Sequence, residues 1–146
     1  MKTTRRLTLQ QTVGEVMSGT PVTLPPGARI RDAIRRFTDE GPTAIAIVDA
    51  TGVLRGLVTM LDLLRAIPRG ESPGAQPQAQ ASQTVETVMR PGVITLEESD
   101  RLEAALDLLL ETRFHALPVV RRYGHGPELV GMLEQRDLLP LVTAER

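Results

Sequence analysis

A hydroxyl and a carboxylate three residues apart, in Thr59-Met60-Leu61-Asp62, offer the clearest opening for chemistry in this sequence. At the start of a helix that spacing has two uses. Each side chain can satisfy an orphan backbone N–H of the first turn, as in a capping box. Alternatively, the free N–H groups and the positive end of the helix dipole attract an anion. Asp62 then accepts the hydroxyls of a sugar, and the Thr59 hydroxyl donates to sugar or phosphate oxygens. On spacing alone, capping is the stronger reading. Glu134-Gln135-Arg136-Asp137 has the same form with a carboxylate where Thr59 stands. Facing a phosphate at about 4 Å, in an effective dielectric of about 20, that carboxylate is repelled by about 4 kcal/mol.

Other reactive side chains do not assemble. The two histidines, His115 and His125, have no acidic partner at metal-ligand spacing, and no metal site is expected. Cysteine is absent, which removes thiolate nucleophiles, disulfides and Cys-ligated zinc. No Ser or Thr has an evident base, so no catalytic residue is assigned and an enzyme is not expected.

The elements that must position Thr59 and Asp62 follow from local pattern. Val22-Thr23-Leu24 is β-like and ends at Pro25-Pro26-Gly27. Ile30, Ala33, Ile34 and Phe37 then form a helical stripe closed by Gly41-Pro42. Ala44 to Val48 and Val53 to Val58 read as strands around the turn Asp49-Ala50-Thr51-Gly52. A last helix runs from Met60 to about Ile67 and stops at Pro68.

This strand-helix-strand-strand-helix unit occurs twice. At an offset of 72, ten of the 37 positions from Thr12 to Val48 are identical, among them Val13/Val85, Met17/Met89, Arg29/Arg101 and Ala33/Ala105. Beyond Val48 the offset is 75, pairing Gly56 with Gly131 and Asp62 with Asp137. The three extra residues fall within Arg121 to Pro127, whose Arg121-Arg122 reads as a solvated turn. In the second copy Ser99 is the expected cap for a helix carrying Leu102, Ala105, Leu106 and Leu109, and Pro140 shortens or kinks the last helix. The units are residues 12–67 and 84–143. Residues 68–83, rich in Pro, Gly, Gln and Ala, read as a flexible linker. Each repeat is expected to fold as a unit and dock on its twin, because a half of this size has a poor ratio of core to surface.

Composition narrows the function classes. The chain has 146 residues, 41% apolar and 24% charged, which describes a folded protein too short for a large multidomain enzyme. Aromatics are 2%, too few for base-stacking platforms, and the net charge of −1 provides no field to draw in nucleic acid or a membrane surface. No apolar run serves as a signal peptide or membrane span, and a cytoplasmic protein is expected.

The repeated unit resembles the CBS-domain pair, or Bateman module. The resemblance rests on Val13-Gly14-Glu15-Val16-Met17 with Val85-Glu86-Thr87-Val88-Met89, on His115-Ala116-Leu117-Pro118-Val119-Val120, and on Gly56 to Asp62 with Gly131 to Asp137. It implies an α+β fold of two β-α-β-β-α repeats packed about a pseudo-two-fold axis. It also implies a stand-alone regulatory module that dimerises, requires no cofactor, and binds an adenosine-containing ligand: AMP, ADP, ATP or S-adenosylmethionine. A ligand-independent dimerisation scaffold is the alternative. The resemblance places the ligand between the repeats, against Val58, Thr59 and Asp62, with Thr84 and Met89 on the facing wall. The second cleft takes Thr12, Met17 and Asp137, the twins of Thr84, Met89 and Asp62, together with His115, a phosphate-contacting position in the family. Thr12 and Thr84 read equally as helix caps, and Met17 and Met89 as core filler. The Glu134 cleft is expected to be the poorer site. The regulated partner protein is not legible in the sequence.

Overall fold

The computed structural model describes residues 6–67 and 82–143. All of the expected linker except Ser82 and Gln83 lies outside them. In chain order the elements are α1 (Val13–Val16), β1 (Thr23–Leu24), α2 (Ile30–Glu40), β2 (Ile45–Val48), β3 (Leu54–Val58) and α3 (Met60–Arg65). A 3₁₀ turn at Val85–Thr87 then leads to α4 (Leu102–Thr112), β4 (Ala116–Tyr123), β5 (Gly126–Glu134), α5 (Gln135–Leu138) and a closing 3₁₀ helix, Leu139–Thr143.

In the first repeat β1 pairs parallel to β2, which pairs antiparallel to β3. The second repeat has the β4–β5 hairpin alone. The strand expected near Leu96 is reduced to a single parallel bridge with Val119. Pro118 explains the loss. Its twin, Ala46, donates its N–H to Val22 O at 3.1 Å, and proline has no proton to donate. The three inserted residues lengthen the β4–β5 hairpin, and its arginines are not a solvated turn. Arg121 Nε meets Glu98 Oε1 at 2.6 Å, and Arg122 Nη2 donates to Thr95 Oγ1 at 3.2 Å.

The apolar stripes pack as the spacing requires. Ile30, Ala33 and Phe37 of α2 are buried, as are Leu102, Ala105 and Leu109 of α4. Ile34, assigned to the stripe, lies at its edge and is 47% exposed. The α4 cap is Arg101 rather than Ser99, matching Arg29 at the start of α2. The guanidinium of Arg29 reaches Ser82 O at 2.7 Å, and that of Arg101 reaches Gln10 O. After Leu138 the last helix tightens to 3₁₀ across Pro140.

Neither repeat builds its core alone. Val13 packs with Leu96, Leu102, Leu117 and Leu133 of the second repeat, and Val85 packs with Leu24, Phe37, Ile45 and Val58 of the first. Backbone bonds fix the exchange, with Val13 N donating to Asp100 O and Val85 N to Ala28 O, both at 2.7 Å. Each short leader places a fully buried valine beside the other repeat's helix, so the halves interlock instead of docking as finished units. A third cluster, including Ala44, Ala46, Leu57, Ala116 and Met132, joins the two sheets.

The backbone bridges made by the two leaders come in twin pairs, as a pseudo-two-fold axis requires. Leu57 bridges Arg90, and Met132 bridges Ser18. A Cβ on Gly56 would stand 2.7 Å from Arg90 O and 2.9 Å from Met89 Sδ. A Cβ on Gly131 would stand 2.8 Å from Ser18 O and would collide with Met17 Sδ. Close backbone approach therefore requires glycine at both positions.

Candidate functional site

At the start of α3 the capping arrangement is present. Thr59 N donates to Asp62 Oδ2 at 2.8 Å, Asp62 N donates to Thr59 Oγ1 at 3.3 Å, and Thr59 Oγ1 lies 2.9 Å from Asp62 Oδ2. The second carboxylate oxygen, Oδ1, accepts Arg90 Nε at 2.8 Å and lies 3.5 Å from Arg65 Nη1. The Asp62 side chain is only 4% exposed, and a buried carboxylate needs such partners. Arg90 comes from the second repeat's leader and is held by its backbone: Arg90 N donates to Leu57 O at 2.8 Å, and Leu57 N to Arg90 O at 3.1 Å.

Beside this cluster opens a cleft of about 590 Å³, within the size range of small-molecule sites. Thr59 lines it from the first repeat, Arg90 from the leader, and Arg113 and His115 from the second repeat. Leu57, Val93, Ile94 and Phe114 provide apolar wall. Among the described residues no Asp or Glu lies on that wall, and three basic side chains do. Such a surface can take a flat apolar group against its aliphatic side chains and an anion against its basic ones.

The residues singled out from the sequence separate into groups. His115, expected in the Glu134 cleft, instead lines the first cleft together with Thr59, because the strand it precedes faces the first repeat's helix start across the junction. Asp62 stands behind it, with Oδ1 on Arg90. Val58 is buried in β3, opposite Ile45. Thr84 and Thr12 precede the first turns of the leaders and bridge Arg29 and Arg101. Met89 and Met17 lie against Gly56 and Gly131. Sequence reasoning missed Arg90 and Arg113. Their signal lay in the differences between the repeats, where Ser18 and Gly41 are the twins.

The corresponding region of the second repeat is differently wired. Glu134 reaches across the junction, its Oε1 accepting from Thr43 Oγ1 at 2.9 Å and Thr43 N at 3.4 Å. Its Oε2 meets Arg136 Nε at 2.7 Å. Asp137 Oδ2 accepts Glu134 N–H at 2.8 Å, with Ser18 where the first cleft has Arg90. Burial pushes the Asp137 carboxyl above its ordinary pKa; the Glu134 N–H opposes this, the Glu134 charge adds to it, and Arg136 opposes it.

The family model for the CBS domain matches residues 13–69 and 85–143. Homoserine O-acetyltransferase of Methanocorpusculum labreanum is 28% identical over 127 residues, which are 87% of this chain and 23% of that enzyme. The chain thus spans less than a quarter of that relative. Among solved structures, CBSX2 in complex with AMP superposes with a TM-score of 0.75 at 26% identity, over 91% of this chain and 96% of that one. A CBS domain-containing protein from Bacillus anthracis shares the fold, with a TM-score of 0.79 at 22% identity over 92% and 95% of the two chains. With both repeats matched on a shared fold, the chain belongs to the CBS domain family as a pair of CBS repeats.

Proposed function

We propose that this chain is a regulatory, non-catalytic module that binds an adenosine-containing ligand in the Thr59–Arg90–His115 cleft. The observation that carries the reading is a cleft wall that combines apolar side chains with Arg90, Arg113 and His115 and, among the described residues, has no carboxylate. The similarity to CBSX2, which was solved with AMP, supports adenine nucleotide as the first ligand to test. Adenine lies against Val93, Ile94 and Phe114, and the phosphate meets Arg90 and His115. The Thr59 hydroxyl faces the sugar. Asp62 takes ribose hydroxyls only by releasing Arg65 or Arg90, so binding and the cross-repeat ion pair are coupled. That coupling provides the differential affinity by which a ligand shifts one repeat against the other, for a partner protein to read.

Equivalent apolar side chains stand exposed at the ends of both repeats, Leu64 with Leu139 and Ile67 with Val142, each more than half exposed. They support a homodimer built through these helices. Sedimentation of wild type and Leu64→Glu/Leu139→Glu tests this, and a monomeric wild type contradicts it.

The full engagement of Asp62 within the protein favours a second reading, a scaffold that binds no ligand. Thermal shifts with AMP, ADP, ATP and S-adenosylmethionine separate the two. A ligand at about 100 times its Kd stabilises the fold by about 2.7 kcal/mol, and the absence of any shift at millimolar ligand supports the scaffold.

A further inference from the structure

Helices α2 and α4 end in the same way with different residues. Gly41 closes α2 at φ +62°, and Arg113 closes α4 at φ +60°. Each passes its N–H to the carbonyl four residues earlier, Gly41 to Phe37 at 3.1 Å and Arg113 to Leu109 at 2.8 Å. Among the described residues, Arg113 is the one non-glycine with positive φ. A Cβ in the left-handed region crowds the following carbonyl, and arginine has no short polar side chain to compensate. The first repeat shows that glycine makes this turn without that crowding.

The side chain gives a reason for the exception. Arg113 lines the same cleft as Arg90 and His115. Arg90 is held on Asp62 at 2.8 Å. Among the described residues, the Arg113 guanidinium has neither an ion pair nor a hydrogen bond. It is therefore the cleft's uncommitted cation, carried on a backbone conformation that its residue type disfavours. Strain at a ligand cleft is a pointer to function.

We propose that Arg113 adds to the Arg90 and His115 contacts the uncommitted charge by which this cleft distinguishes nucleotide from nucleoside and a longer phosphate chain from a shorter one. The inference rests on the adenosyl-ligand reading above and adds to it a selectivity for adenosine polyphosphates. It also implies that function and fold are opposed at this position. Glycine there relaxes the turn and discards the anion contact.

Calorimetric titrations of wild type, Arg113→Gly and Arg113→Lys with adenosine, AMP and ATP test this, together with melting temperatures. Arg113→Gly is expected to bind adenosine within twofold of wild type, to bind ATP at least tenfold more weakly, and to melt no lower. Arg113→Lys retains a cation and is expected to lie between them for ATP. Added salt weakens ATP binding more in wild type than in Arg113→Gly. Equal losses for adenosine and ATP, an unchanged ATP affinity, or a melting temperature several degrees lower in Arg113→Gly each overturn the inference while leaving the adenosyl reading in place. A wild type that binds none of the three ligands overturns both.

Discussion

The Thr59 cleft and the Glu134 region of the second repeat sit on one duplicated framework and carry different charged groups. The framework residues are paired by identity: Gly56 with Gly131, Met89 with Met17, and Arg29 with Arg101 each make the same contact twice. Among the many differences, four bear on the hydroxyl and the basic groups of the first cleft. Thr59, Arg90, Arg113 and His115 on one side correspond to Glu134, Ser18, Gly41 and Thr43 on the other. Arg90, Arg113 and His115 have uncharged twins, and Thr59 has an acidic one. Duplication preserved the packing that lets two incomplete halves interlock, while the side chains facing the clefts were free to differ.

The largest expected effect tests the shared part of the comparison. Gly56→Val and Gly131→Val each drive a side chain into backbone, and each is expected to cost about 3 kcal/mol or to prevent folding. Chemical denaturation measures both, and a cost below about 1 kcal/mol for either one means the two halves are not held alike.

Next come the paired aspartates. Asp62→Ala removes a buried carboxylate with four partners and leaves Arg90 without its ion pair, for an expected loss of about 2–3 kcal/mol. Asp137→Asn keeps an acceptor for Glu134 N–H and relieves a charge that burial disfavours. Because the Asp137 pKa is raised in the fold above 3.8, its favourable contribution belongs to the protonated form. That contribution is full below the unfolded pKa and is lost as pH rises through the folded one. Relative to wild type, Asp137→Asn is therefore expected to gain stability between pH 4 and pH 7, which melting curves across that range will show. A steady loss with rising pH contradicts the burial argument.

A smaller change in stability, but a sharper test of divergence, comes from rebuilding the second site. Ser18→Arg/Thr43→His/Glu134→Thr gives up the Glu134–Thr43 hydrogen bonds, at a cost of about 1 kcal/mol. It is expected to add a second nucleotide site per chain, read as calorimetric stoichiometry. Unchanged stoichiometry shows that these side chains do not account for the asymmetry.

Much of this was legible before the structure. The offsets of 72 and 75 locate both helical stripes, the hairpin insertion and the Thr59–Asp62 cap, because local periodicity and capping depend on neighbours in sequence. The leader exchange was not legible in the residue pattern; only the resemblance set Thr84 and Met89 opposite Thr59. Val13 bonds to Asp100 and Val85 to Ala28, and no periodicity indicates which of two similar cores a short segment enters. The α4 cap was misplaced onto Ser99 by residue preference, although the Arg29/Arg101 identity marked the true position. Arg90 and Arg113 were overlooked for a related reason. Identity between repeats exposes the framework, whereas side chains that only one of the two twin positions carries show themselves where identity fails.

The central claim is that one cleft per chain, the basic one, holds an adenosyl ligand. Calorimetric titration of AMP into wild type, His115→Ala and Asp137→Ala tests it most directly. The expected result is one site per chain, weakened at least tenfold in His115→Ala and unchanged in Asp137→Ala. Two equivalent sites, no binding by wild type, or binding lost in Asp137→Ala and kept in His115→Ala would contradict it.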